Sequence, residues 1–72
     1  MAIEVPAPMA AKVLSFLVEP GDVVEEDEPL VMLEALKMEV PVVAPVDGTL
    51  QRFCVEVGQS VEADTLLAII EE

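Results

Sequence analysis

A small all-β domain built from two similar halves is what this sequence predicts, on three observations. Prolines at 6, 8, 20, 29, 41 and 45 break every window long enough for a helix, and each suits a strand start or a sheet edge. Short runs rich in β-branched and aromatic residues alternate with turn residues. The third observation is an internal repeat. An offset of 44 − 7 = 37 residues aligns the halves without a gap, giving eleven identities over the 28 positions from 7–34 against 44–71.

The elements follow in order. Val13 to Val18 and Leu50 to Val57 read as strands, closed by the turns Pro20-Gly21-Asp22 and Gly58-Gln59. Short strands at Val23-Val24 and Ser60-Val61 lead into Leu30 to Leu33 and Leu66 to Ile70. A period of two puts Phe16 with Val18, and Phe53 with Val55, on one face, leaving Leu17 and Cys54 on the other. The repeat pairs Ala7-Pro8 with Ala44-Pro45, Phe16 with Phe53, Gly21 with Gly58 and Asp27 with Asp64. Two copies are too few for a solenoid, so the expectation is two halves, about 1–36 and 38–72, packed about a pseudo-two-fold axis. Lys37 falls at the seam.

A chain of 72 residues is one small domain or module, and it needs an efficient core or a staple. Cys54 has no partner for a disulfide, and without histidine the usual zinc ligand sets are missing. Packing of Val, Leu and Ile must therefore suffice. A reducing compartment is the natural inference, with the cytoplasm expected. Glu4 interrupts the only N-terminal apolar stretch, and no apolar run reaches the ~18 residues of a membrane span. The net charge of −12 argues against nucleic acid and anionic membranes as partners and favours basic protein surfaces. No general base or basic cluster lies near Cys54 in sequence to activate its thiol, which reads as structural or semi-exposed.

The centre of the chain breaks local rules. Leu30 to Glu34 and Glu39 to Val43 read as two strands with very little between them. If Leu36 and Lys37 form a two-residue hairpin loop, both need φ > 0, which neither suits. Glu34 would then face Glu39, a destabilising pairing, and Leu36 and Met38 would lie exposed at a tip. A wider four-residue turn with water-screened charges is the bland alternative. So many local conflicts at one place mark a functional site.

A catalytic lysine must be free amine, a state reached by burial or a nearby positive charge. Lys37 instead has the carboxylates Glu34 and Glu39 close in sequence, no neighbouring positive charge, and no histidine to act as base. Self-catalysed chemistry is disfavoured. A protruding lysine suits the role of substrate for another enzyme, and hence a carrier rather than an enzyme.

Leu33-Glu34-Ala35-Leu36-Lys37-Met38-Glu39 resembles the attachment motif of biotinyl domains, the biotin carboxyl carriers of biotin-dependent carboxylases and decarboxylases, where Ala-Met-Lys-Met is usual. The resemblance runs through Ala7-Pro8-Met9, Gly21-Asp22, Ala44-Pro45 and Asp47-Gly48 and covers nearly the whole chain. It implies a flattened β-barrel, or barrel-sandwich hybrid, of two four-stranded antiparallel sheets, without the thumb insertion of some members. It also implies covalent biotin on Lys37, attached by a biotin protein ligase. The domain would then shuttle carboxybiotin between a biotin carboxylase and a carboxyltransferase, and the isolated module is expected to be a monomer. By the same resemblance, Ala35, Leu36 and Met38 brace the hairpin and fit the ligase, while Glu34 and Glu39 set recognition.

Two features depart from the family pattern. Leu36 stands where methionine is usual, and Ala11 where glycine is common, a difference expected to affect a turn. A lipoyl carrier shares the fold but usually has Asp-Lys-Ala around its lysine. An unmodified structural hybrid domain would not require the lysine motif at all.

Overall fold

The computed structural model describes residues 1–72 as eight strands and no helix. They are β1 (Ala2–Pro6), β2 (Ala11–Phe16), β3 (Val23–Val24), β4 (Pro29–Ala35), β5 (Met38–Val43), β6 (Gly48–Phe53), β7 (Ser60–Val61) and β8 (Leu66–Glu71). Two four-stranded sheets result, ordered β1-β8-β6-β3 and β5-β4-β2-β7, with every pairing antiparallel. They pack face to face as a flattened barrel-sandwich and do not close into one continuous barrel.

The offset of 37 residues carries β1 to β4 onto β5 to β8, and in doing so carries one sheet order onto the other. Each half therefore gives two strands to each sheet. The symmetry extends to single bonds. Gly21 N–H donates to the Leu50 carbonyl at 2.8 Å, and Gly58 N–H to that of Val13 at 2.8 Å. Asp27 N–H reaches the Ala44 carbonyl, and Asp64 N–H that of Ala7, each at 2.8 Å. Backbone dihedrals match as well: φ is 96° and 92° at the two glycines, and 70° at both aspartates. Residues in the left-handed region are uncommon unless glycine, asparagine or aspartate, so the repeat retains these types where the turns need them.

Fifteen buried residues, all apolar, form the core. Ala7, Ala44, Leu30 and Leu67 are among them, so several repeated identities are packing positions. The interior leaves no buried polar side chain without a partner.

Three details differ from the sequence reading. The strands predicted at Val13 to Val18 and Leu50 to Val57 begin earlier and end at Phe16 and Phe53, where the chain bends away after Leu17 and Cys54 make one last bond each, to the Leu30 and Leu67 carbonyls of the partner strands. Register shifts between Val13 and Ser15, and between Leu50 and Arg52, turn Phe16 and Phe53 inward in spite of their spacing from the core residues Val13 and Leu50. The expected faces persist past the strand ends: Val55 is buried, Val18 packs on the core, and Leu17 and Cys54 are exposed.

Ala11 and Gly48 do not lie in turns, as expected of the glycine position, but open β2 and β6. A Cβ on Gly48 would stand 2.7 Å from the Glu71 carbonyl oxygen, so that glycine serves close strand approach. Finally, β1 was not predicted. Its five residues hold only Ile3 and Val5 as large apolar residues between Ala2 and Pro6, too weak a run by itself, yet it is the repeat partner of β5.

Candidate functional site: an exposed lysine on a strained hairpin

Strands β4 and β5 meet in a two-residue loop of Leu36 and Lys37. Their φ angles are 53° and 66°, the left-handed values that a tight hairpin demands at both central positions. Pairing along both strands imposes this conformation on residues that do not favour it. Ala35 faces Met38 and Glu34 faces Glu39, as the two-residue reading required, and the wider four-residue turn is not formed.

Leu36 is 95% exposed and Met38 68% exposed, so these long apolar side chains contribute little to this domain's own core. Ala35 is half-buried, while Lys37, Glu34 and Glu39 are exposed. The single ion pair in the chain joins the Met1 ammonium to Glu71, so neither Glu34 nor Glu39 pairs with Lys37. The amine stands clear of its own domain, and no cavity adjoins it. What this arrangement can do is offer one primary amine, with apolar side chains on either side, to an approaching surface.

One neighbour escaped the sequence reading. Lys12 on β2 lies opposite Glu34, which lies opposite Glu39, so three charges form one row across three hydrogen-bonded strands. The signal was hidden because β2 and β4 pair only through the register of the whole sheet.

Prosthetic-group attachment makes a limited demand: an accessible amine on a well-formed support, with no pocket needed. Lys37 meets it.

Comparison with known proteins bears on the same residues. Residues 3–70 match the biotin/lipoyl family described as "Biotin-requiring enzyme". A biotin carboxyl carrier protein of Streptococcus mutans is 53% identical over 38 residues, which are 53% of this chain and 29% of that protein. Among solved structures, the Kluyveromyces lactis urea carboxylase superposes with a TM-score of 0.94 at 27% identity, over 99% of this chain and 6% of that one. The lipoyl domain of the 2-oxoglutarate dehydrogenase complex from Azotobacter vinelandii gives a TM-score of 0.80 at 28% identity, covering 97% of this chain and 96% of that domain. The chain thus spans a small fraction of the carrier and carboxylase polypeptides it matches. With the family match running from Ile3 to Ile70 across the hairpin and both sheets, the chain belongs to the biotin/lipoyl attachment family.

Proposed function

We propose that residues 1–72 are a single biotinyl carrier domain, non-catalytic in itself, whose Lys37 is biotinylated by a biotin protein ligase. The observation that carries this reading is the Lys37 amine, unpaired and exposed on a two-residue hairpin between Leu36 and Met38. The names of similar proteins, among them a biotin carboxyl carrier protein, a urea carboxylase and a glutaconyl-CoA decarboxylase subunit, support biotin as the group and a biotin-dependent carboxylase or decarboxylase as the setting.

In the attachment step Lys37 Nζ, having lost its proton, attacks the carbonyl of an enzyme-activated biotinyl group. An amide forms, the activating nucleotide leaves, and the amine protons pass to the ligase or to water. The ammonium charge disappears, taking the formal net charge from −12 to −12 − 1 = −13. Biotin, when bound, supplies a ring nitrogen that accepts and gives up a carboxyl group. The domain's own part is to hold that group on a rigid hairpin, so that its local concentration at the carboxylase and carboxyltransferase sites is set by a tether instead of free diffusion. Leu36, Met38 and Ala35 provide apolar contact, and Glu34 and Glu39 provide charge recognition. The expected setting is the cytoplasm, or the mitochondrial matrix for a eukaryotic parent.

A lipoyl carrier is the second reading, since lipoyl domains share the fold. The flanking Leu36 and Met38, in place of Asp-Lys-Ala, favour biotin. Incubation with a biotin protein ligase, ATP and biotin, followed by intact-mass measurement, tests the assignment. A biotin-sized increment absent from Lys37→Ala is expected. A lipoyl-sized increment with a lipoyl ligase and none with biotin would replace this reading by the second.

A further inference from the structure

The pseudo-two-fold symmetry provides an internal comparison. Two poles of one fold are built from equivalent strands, so a difference between equivalent exposed residues that neither packing nor turn bonding explains points to a demand other than folding. At the pole opposite the hairpin, Glu72 N–H donates to the Met1 carbonyl at 2.9 Å, where the offset of 37 places the counterparts of Ala35 and Met38. The rows one step inward then compare directly. The lysine pole has Glu39, Glu34 and Lys12 across β5, β4 and β2. The opposite pole has Ala2, Glu71 and Thr49 across β1, β8 and β6. Only Glu34 and Glu71 agree. Neither Glu39 nor Lys12 is required to build such a pole.

Met9 gives a second difference. Its counterpart Val46 is half-buried and packs against the core, whereas Met9 is 41% exposed and is absent from that packing. In the antiparallel register, Lys12 faces Glu34. Residues before Lys12 on β2 therefore lie past that row at the same end as residues after Glu34 on β4. The bend at Pro8–Ala10 and the tip at Leu36–Lys37 share one pole of the molecule.

We infer that the surface presenting Lys37 to the biotin-activating ligase extends beyond the hairpin to Met9, in the bend before β2, and to Lys12 on β2 itself. This rests on the biotinyl reading of Lys37. Its occupant is a ligase face with an apolar spot for Leu36, Met38 and Met9, basic groups opposite Glu34 and Glu39, and an acidic group opposite Lys12. The mixed row of charges gives the approaching ligase an orientation, since a rotated approach places like charges together.

The test exchanges each residue for its symmetry counterpart, Met9→Val and Lys12→Thr, in the full 72-residue chain, because those side chains already serve the same fold. Biotin transfer by purified ligase is followed by mass, with melting curves recorded for each variant. The double variant is expected to lose about tenfold in kcat/KM, a loss equivalent to 1.4 kcal/mol. The loss should appear as raised KM, with Lys12→Arg close to wild type and Val23→Thr, on the far edge strand β3, unchanged. Wild-type kinetics in the double variant would overturn the extended surface and leave the carrier reading standing. A wild-type chain that takes no biotin would remove both. A loss confined to kcat, or one tracking a lowered melting temperature, would also reject the recognition role.

Discussion

Phe16 and Phe53 stack ring on ring, with centroids 3.8 Å apart and planes 4° from parallel. They are repeat counterparts, 53 − 16 = 37 residues apart, so the two halves meet through the same side chain. So short a centroid distance leaves little offset, an arrangement the ring quadrupoles disfavour. The surrounding half-buried packing must hold it, and the register shifts in β2 and β6 aim both rings inward. Phe16→Ala and Phe53→Ala are each expected to destabilise by about 2–4 kcal/mol, somewhat below or within the usual cost for a core phenylalanine. The double variant should cost less than the sum, because either single change already breaks the stack. Urea denaturation of the four proteins measures this, and strict additivity would show that the rings do not act as a pair.

Leu36 combines near-complete exposure with φ of 53°. Its side chain lies outside the core and gains no core packing to offset the backbone strain. Leu36→Asn should raise stability by about 1 kcal/mol, since asparagine tolerates the left-handed region better than leucine does. The same change should slow biotin transfer. Thermal melting and the mass assay together read the trade between stability and recognition.

Glu34 and Glu39 face one another directly across β4 and β5. Glu39→Gln is expected to stabilise the fold at low ionic strength, with the difference fading in high salt as screening removes the repulsion. Melting temperatures of the two proteins over a salt series provide the check. A salt-independent difference would point to packing as its cause.

Gly48→Ala should be destabilising by about 1–3 kcal/mol, the usual range for overpacking. The new Cβ would lie 2.7 Å from both the Glu71 carbonyl oxygen and Ile70 Cγ2, and the backbone contact cannot rotate away. The equivalent position holds Ala11 without difficulty, so Ala11→Gly should be milder. Chemical denaturation of both variants compares the two sites.

Met38→Ala is expected to impair biotin transfer and leave the fold intact, because Met38 is 68% exposed at the hairpin. Normal labelling kinetics with an unaltered melting curve would exclude its part in recognition.

Much of this architecture was legible in the sequence because it repeats. The offset of 37 residues located the turns at Gly21 and Gly58, and the conflict at Leu36 and Lys37 located the hairpin from the rules it breaks. What stayed hidden depends on contacts between distant strands. Periodicity alone misplaced the ends of β2 and β6, where the chain bends past Phe16 and Phe53, and did not show the unpaired residue in each strand that shifts the register. The strand β1 gains definition from its pairing with β8, some sixty residues away in sequence. Lys12 joins the site only when β2 lies beside β4. Sequence variation between the halves also concealed conserved geometry: Asp22 and Gln59 accept the same turn hydrogen bond, from Glu19 N–H at 2.9 Å and Glu56 N–H at 3.0 Å.

The interleaving of the halves sets an order of events during synthesis. The strand β8 emerges last of the eight, yet it is an interior strand of its sheet, flanked by β1 and β6. Until it arrives, those two strands have no common partner, and the apolar side chains of Leu67, Ala68 and Ile70 are missing from the core. The hairpin bearing Lys37 is paired within the other sheet, which packs on a core completed only when β8 is in place.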